Sequence, residues 1–240
     1  EFRRVLFRSL THNCINNINY ITDVKEGAII KHNIFQNFSN SNKLFLTSNT
    51  VCEKNSFYNQ NTFNFSDGFV RNFHHAHLNG EFANASLKGC FFLKDKNACS
   101  NKTDIIHNAE HCVSDQTYKG ILNHHSRANY YSNTFVSENA QKTEGYQLSK
   151  GILLTDNCSF FSKPELKIFA DDVKCSHGST IGPVDESALY YLRSRGISKN
   201  EAMKMIISSF IEEDLQNLDI DVAKIINHNL SDYLSSLIDD

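Results

Sequence analysis

Phe169-Ala-Asp-Asp-Val-Lys-Cys-Ser-His-Gly-Ser-Thr-Ile-Gly182, followed by Asp185-Glu-Ser-Ala-Leu-Tyr-Tyr-Leu-Arg-Ser-Arg-Gly196, is where the chain changes character. Upstream lie short, Asn-rich pieces of strand length. Downstream lie three helical patterns. The junction carries Cys175 and His177 two residues apart, and on an extended chain side chains at i and i+2 share a face. A thiolate and a ring nitrogen on one face suit a metal or an iron–sulfur species. On the residues alone, the simpler reading is a buried thiol and a hydrogen-bonded imidazole closing a strand.

Working upstream, apolar or alternating segments recur at Lys43–Thr47, Thr62–Phe65, Phe69–His77, Leu87–Leu93, Thr103–His107, Tyr118–Leu122, Ala128–Val136, Gly151–Thr155 and Glu165–Phe169. Each has strand length, polar residues separate them, and no 3.6-residue period survives. Many short strands without long helices mean a sandwich, a barrel or a β-solenoid. The chain has only 2 Pro and 10 Gly, so Asn is expected to make the turns, through its tolerance of left-handed backbone. Asn in repeated turns suits a solenoid, where stacked amides satisfy one another, yet no strict repeat period is visible.

Downstream of Asp185 the period becomes helical. Asp185–Arg195 reads as a helix closed by Gly196. Ser198-x-x-Glu201 is a capping box, followed by a stripe of Met203, Ile206, Ile207, Phe210 and Leu215. Asp219 or Asp221 opens a third helix with Val222, Ile226, Leu230, Tyr233, Leu234 and Leu237 on its stripe. Helices this short are marginal alone, so they must pack on each other, on the solenoid end or on a partner.

The 240 residues and 40% hydrophobic content allow one large domain or two small ones with a real core. A net charge of −3 gives no basic footprint, so nucleic acid is not an expected partner. No apolar run approaches the ~20 residues of a membrane helix. The opening Glu1-Phe-Arg-Arg-Val-Leu-Phe-Arg-Ser9 lacks the apolar core of a secretory signal and reads as a cloning scar or a truncated start. Seven cysteines, an odd number with no Cys-x-x-Cys, argue for a reducing compartment and small buried thiols.

The junction run resembles the SufB/SufD family of iron–sulfur cluster assembly scaffolds. His107-x-x-x-His111-Cys-x-Ser-x-x-x-Tyr-Lys-Gly-Ile-Leu122, Ala140-Gln-Lys-Thr143, Leu153-Leu-Thr-Asp156 and Lys163-Pro-Glu-Leu-Lys-Ile168 are similar to its signatures, in the same order. The similarity is strong over residues 100–200 and weaker over 20–100, and the Asp-Asp-Val-Lys-Cys-Ser-His-Gly form is nearer to SufD than to SufB. The resemblance implies a right-handed parallel β-helix over residues 20–182, a C-terminal helical domain over 183–240, and residues 1–19 unassigned. It implies a non-enzymatic scaffold in the bacterial cytoplasm, or in the plastid stroma of a eukaryote. Its partners would be a SufB-like subunit and a SufC-like ABC ATPase, with a homodimer in isolation left open. His177, and more weakly Cys175, would be metal ligands for a nascent, transient iron–sulfur cluster shared with SufB. Tyr190, Tyr191, Arg193 and Arg195 would contact the ATPase. The family has also been linked to a reduced flavin, for which this chain has no fingerprint, and that cofactor stays open.

Other constellations read more plainly. His107 and His111 have helical metal spacing, but their surroundings are strand and turn. His75 and His77 share a strand face, where a solvated row is the simpler meaning. His124-His125 is a turn. Asp171 and Asp172 are adjacent and would point to opposite faces, so they cannot flank one bond as a hydrolytic pair. No phosphate-binding loop and no nucleophile elbow exist. The rival readings are a carbohydrate-active β-helix and an adhesin-like solenoid.

Overall fold

The computed structural model describes residues 14–38, 42–216 and 218–236. The opening nonapeptide and Leu237 lie outside them. Twelve strands run in chain order: β1 Ile15–Val24, β2 Ile29–Gln36, β3 Lys43–Cys52, β4 Phe57–Asn64, β5 Phe69–Leu78, β6 Asn84–Leu93, β7 Ala98–His107, β8 Val113–Leu122, β9 Arg127–Val136, β10 Thr143–Leu153, β11 Ser159–Ile168 and β12 Val173–Pro183. Three helices follow: α1 Glu186–Ser194, α2 Lys199–Gln216 and α3 Ile220–Ser236.

Odd-numbered strands form one parallel sheet, β1-β3-β5-β7-β9-β11, and even-numbered strands form the other, β12-β10-β8-β6-β4-β2. The chain therefore winds through both sheets on every turn. This is the β-solenoid the resemblance implies, with about six turns followed by helices. The coils are unequal. Successive first residues in the odd sheet, Ile15, Lys43, Phe69, Ala98, Arg127 and Ser159, pair in register, and their unequal spacing hides the repeat from a search for a fixed period.

Register stacks like positions. Inward side chains form columns, and large residues in one coil meet small ones in the next. A Cβ on Gly89 would lie 2.3 Å from the Tyr118 ring, and one on Gly120 would lie 2.3 Å from the Phe91 ring. Glycine there leaves room for aromatic rings at native packing density. Polar columns satisfy themselves: Gln36 Nε2 donates to Asn72 Oδ1 at 2.7 Å, and Asn72 Nδ2 donates to Asn101 Oδ1 at 2.9 Å. Asn thus makes ladders more than left-handed turns. Among the described residues the positive-φ turn positions are Gly27, Asn55, Phe82, Asp95, His111, His124 and Lys142, besides Gly68 and Gly196. Only one is Asn, because neighbouring coils hold these corners by hydrogen bonds such as His111 N–H to Gln141 O at 2.9 Å.

The helices do not cap the solenoid's end. Ile207 and Ile211 of α2 and Ile226, Leu230, Tyr233 and Leu234 of α3 pack on Phe63, Cys90, Phe92 and Ile121, on the even sheet. Tyr233 drives its hydroxyl to the Leu93 carbonyl at 3.1 Å. Lys119 reaches up from β8 to Asp214 of α2 at 2.7 Å and to the Phe210 carbonyl at 2.9 Å. Asp185 caps α1 by accepting from Ser187 N–H at 2.9 Å, and Ser198 Oγ accepts from Glu201 N–H at 3.3 Å at the start of α2.

Two tests follow from this packing. Lys119→Met leaves the nearly buried Asp214 carboxylate unpaired and should destabilise the fold by about 3 kcal/mol. The double variant Lys119→Met/Asp214→Leu should recover most of that loss in denaturant titrations; no recovery would show that the pair is not what ties α2 down. The second test concerns buried histidines. Burial holds His74 down at about 3 and His107 at about 4, from 6.5. Both are neutral in the folded chain at pH 7. Below about pH 6.5 the unfolded chain takes up protons that the folded chain refuses, so stability present above that pH is lost as pH falls towards 4. Melting temperature should drop over that window, and His107→Gln should flatten the slope by up to ~1.4 kcal/mol per pH unit. An unchanged slope would mean that His107 does not titrate this way.

Candidate functional site at the open end of the solenoid

β12 is the last strand of the even sheet and β11 the last of the odd sheet. Among the described residues, no strand pairs with their outer edges. The two edges are not alike. β11 carries Pro164, Lys163 and Lys167, which blunt an edge. β12 has a single charge, Lys174, and no proline before Pro183, its last residue. Its outer edge is a long row of unguarded backbone donors and acceptors.

β12 also carries the pair from the junction. It lies parallel to β10, with Cys175 opposite Gly145 and His177 opposite Gln147. The two side chains share a face, as expected from their spacing. That face is the inward one: Cys175 and Val173 pack against the buried cluster of Val136, Ala140 and Ala170. Gly145 makes the room, since a Cβ there would stand 3.3 Å from Cys175 Sγ. His177 is exposed, because no coil covers the column it ends. Burial pushes the Cys175 thiol up, partly offset by donation from the Gly145 backbone. The thiol is therefore protonated near neutral pH, and a metal must displace its proton. The exposed His177 ring is open to solvent. Among the described residues no group of three or more His, Cys, Asp or Glu is placed to hold a metal ion. A cluster at this end would need ligands from elsewhere.

The remaining histidines go to separate duties. His107 is buried, with Nε2 2.8 Å from Ser114 Oγ, while His111 sits in a corner turn stacked on Phe82 at 4.8 Å. They do not share a metal face. His75 and His77 face outward, and His75 lies 3.8 Å over Phe73 and 3.5 Å from Asp104. His124, in a turn, approaches Asp95 at 3.2 Å. Asp172 pairs with Lys142 of the coil before, and its backbone N–H donates to Gln141 Oε1 at 2.9 Å, a structural role.

On α1, Tyr190 is 76% and Tyr191 58% exposed, and Arg193 and Arg195 are exposed beside them. The Arg195 guanidinium lies 5.4 Å over the Tyr191 ring. All four are exposed near the start of the helical region. Gln147 and Gly145, which shape the surroundings of His177 and Cys175, were not visible in the sequence. Only strand register brings them there.

No helix among the described residues is long and apolar enough to cross a membrane. Comparison with known proteins agrees with the junction motif. The chain is 37% identical over 136 residues to the iron–sulfur cluster assembly protein SufD of Escherichia coli K12, a match covering 57% of this chain and 32% of that protein. It is 32% identical over 126 residues to an iron–sulfur cluster assembly SufBD family protein of Synechocystis, covering 52% and 28%. It is 40% identical over 105 residues to the chloroplastic protein ABCI7 of Arabidopsis thaliana, covering 43% and 22%. The matched stretches thus span a third or less of these relatives' own lengths. The family model for the SUF system FeS cluster assembly SufBD core domain matches residues 6–210, and with that match, the solenoid and the junction motif together, the chain belongs to the SufBD core-domain family.

Proposed function

We propose that the chain is a non-enzymatic scaffold subunit of the Suf machinery, presenting the open end of its solenoid to a SufB-like partner. The observation that carries this reading is the position of Cys175 and His177: on an unguarded edge strand, at the uncovered end, facing inward. A partner strand on the β12 edge would satisfy its free backbone groups. It would also bring its own ligands to His177, answering the shortage of ligands in this chain alone. The nascent cluster is cargo here. His177 would hold iron through a neutral ring nitrogen, and Cys175 would join only where a metal draws off its proton.

The exposed Tyr190, Tyr191, Arg193 and Arg195 are the proposed contact for a SufC-like ABC ATPase, since Tyr and Arg are common interface anchors. α2 and α3 are less suited, because their apolar stripes are already spent on the even sheet. Work done by the ATPase on α1 would reach the edge strand directly, as only Val184 and Asp185 separate α1 from β12. The cell compartment would be the bacterial cytoplasm or the plastid stroma.

His177→Ala removes no buried apolar volume. It should leave co-purification with a SufB-like partner unchanged, and should reduce the iron and sulfide recovered on the complex. Normal loading would reject the ligand role. Separately, Tyr190→Ala/Tyr191→Ala should weaken capture of the ATPase at least about tenfold while the solenoid stays folded. Undiminished capture would move the docking surface elsewhere.

A further inference from the structure

The end of the solenoid holds a buried acceptor that is hydrogen-bonded to no described residue. Gln147 is 3% exposed, and its Oε1 is buried without a hydrogen-bond partner. Its Nε2 donates to Thr134 Oγ1 at 2.8 Å and to the Glu165 carbonyl at 3.1 Å. A carbonyl can only accept, so turning the amide over would set oxygen against oxygen. The coil before is locked in the same way. Gln116 Nε2 donates to Thr134 Oγ1 at 2.8 Å, and Gln116 Oε1 accepts from Thr103 Oγ1 at 2.5 Å. The orientation of the Gln147 amide is therefore dictated by its neighbours, and Oε1 is the atom left over.

The residue opposite Gln147 in the next strand is His177, in register and on the same inward face. Adjacent strands lie about 4.8 Å apart, within reach of an amide and an imidazole. Orphaned buried acceptors are rare and costly, and an imidazole N–H is the strong donor carried by that position. We propose that Gln147 is a positioning residue for His177: its Oε1 accepts the ring N–H and holds the imidazole in one tautomer, with the lone pair of the other nitrogen free for a metal at the open end. The proposal rests on the reading of His177 as the ligand and supplies what that reading lacks, a reason for the ring to be fixed before any partner arrives. A neutral imidazole binds metal through one nitrogen, and the bond made by the other decides which.

The test uses the full chain labelled with 15N at the imidazoles and followed by NMR through a pH titration. Wild type should show one dominant neutral tautomer at His177. Gln147→Leu should yield a mixture of tautomers. Thr134→Val removes a neighbouring hydrogen bond but leaves Oε1 in place; it should lower the melting temperature without altering the tautomer. Identical His177 spectra in wild type and Gln147→Leu would overturn the proposal. So would an equal disturbance by Thr134→Val, which would reduce Gln147 to a packing role. The ligand reading fails separately, through normal iron loading of His177→Ala, and that outcome does not alter the NMR result.

Discussion

Parallel register between successive coils is the constraint from which the rest follows. Each strand is hydrogen-bonded to the strand one full turn away, so each inward position meets the same position of the coil before and the coil after. A side chain is acceptable there only if its two column neighbours can accommodate it. Gly89 gives way to Tyr118, and Gly120 to Phe91. Asn72 passes a hydrogen bond from Gln36 to Asn101. The corners obey the same rule, and for that reason Phe82, His111 and Lys142 can occupy left-handed turns that isolated peptides would leave to glycine.

Such a stack has no natural stop, because every coil leaves its last column half satisfied. At the even sheet's face the problem is solved by α2 and α3, which turn Phe63, Phe92 and Ile121 from surface into core. At the C-terminal end no described residue solves it. The final column includes Gln147 and His177, the final edge is β12, and neither is covered. The unmet hydrogen-bonding capacity of a solenoid end and the chemistry of a thiol and an imidazole coincide in eleven residues. A protein that only needed to be stable would place Pro or paired charges there, as β11 does. The contrast between the two edges is the physical argument for an assembly surface.

The helical region divides its work in a similar way. α2 and α3 spend their apolar faces on the sheet, with a buried ion pair and a tyrosine hydroxyl fixing their position. α1 buries only Leu189 and leaves two tyrosines and two arginines in water. α2 and α3 hold the fold together, while α1 keeps its aromatic and basic side chains exposed, a short stretch away from β12.

Much was legible in the residues. Nine strand-length segments, Ser198-x-x-Glu201, the change of period after Asp185 and the family motif around Cys175 and His177 are all local features, because capping, strand length and a short motif are properties of adjacent residues. β1 and β2 were missed, since runs such as Ile15-Asn-Asn-Ile-Asn-Tyr20 alternate too weakly to stand out. What remained invisible was set by residues distant in sequence and adjacent in space. Gly145 and Gln147 are ordinary residues in a strand until register lays them beside Cys175 and His177, thirty positions later. The uneven coil lengths concealed the repeat, and the destination of the helices depended on which sheet face offered unpaired apolar rings. The sequence by itself determined most of the elements, the family and the spacing of Cys175 and His177. Only the tertiary structure decided that those side chains share an inward face at an open end, because facing and exposure come from the coil-to-coil hydrogen bonds and from the coil that is not there to cover them.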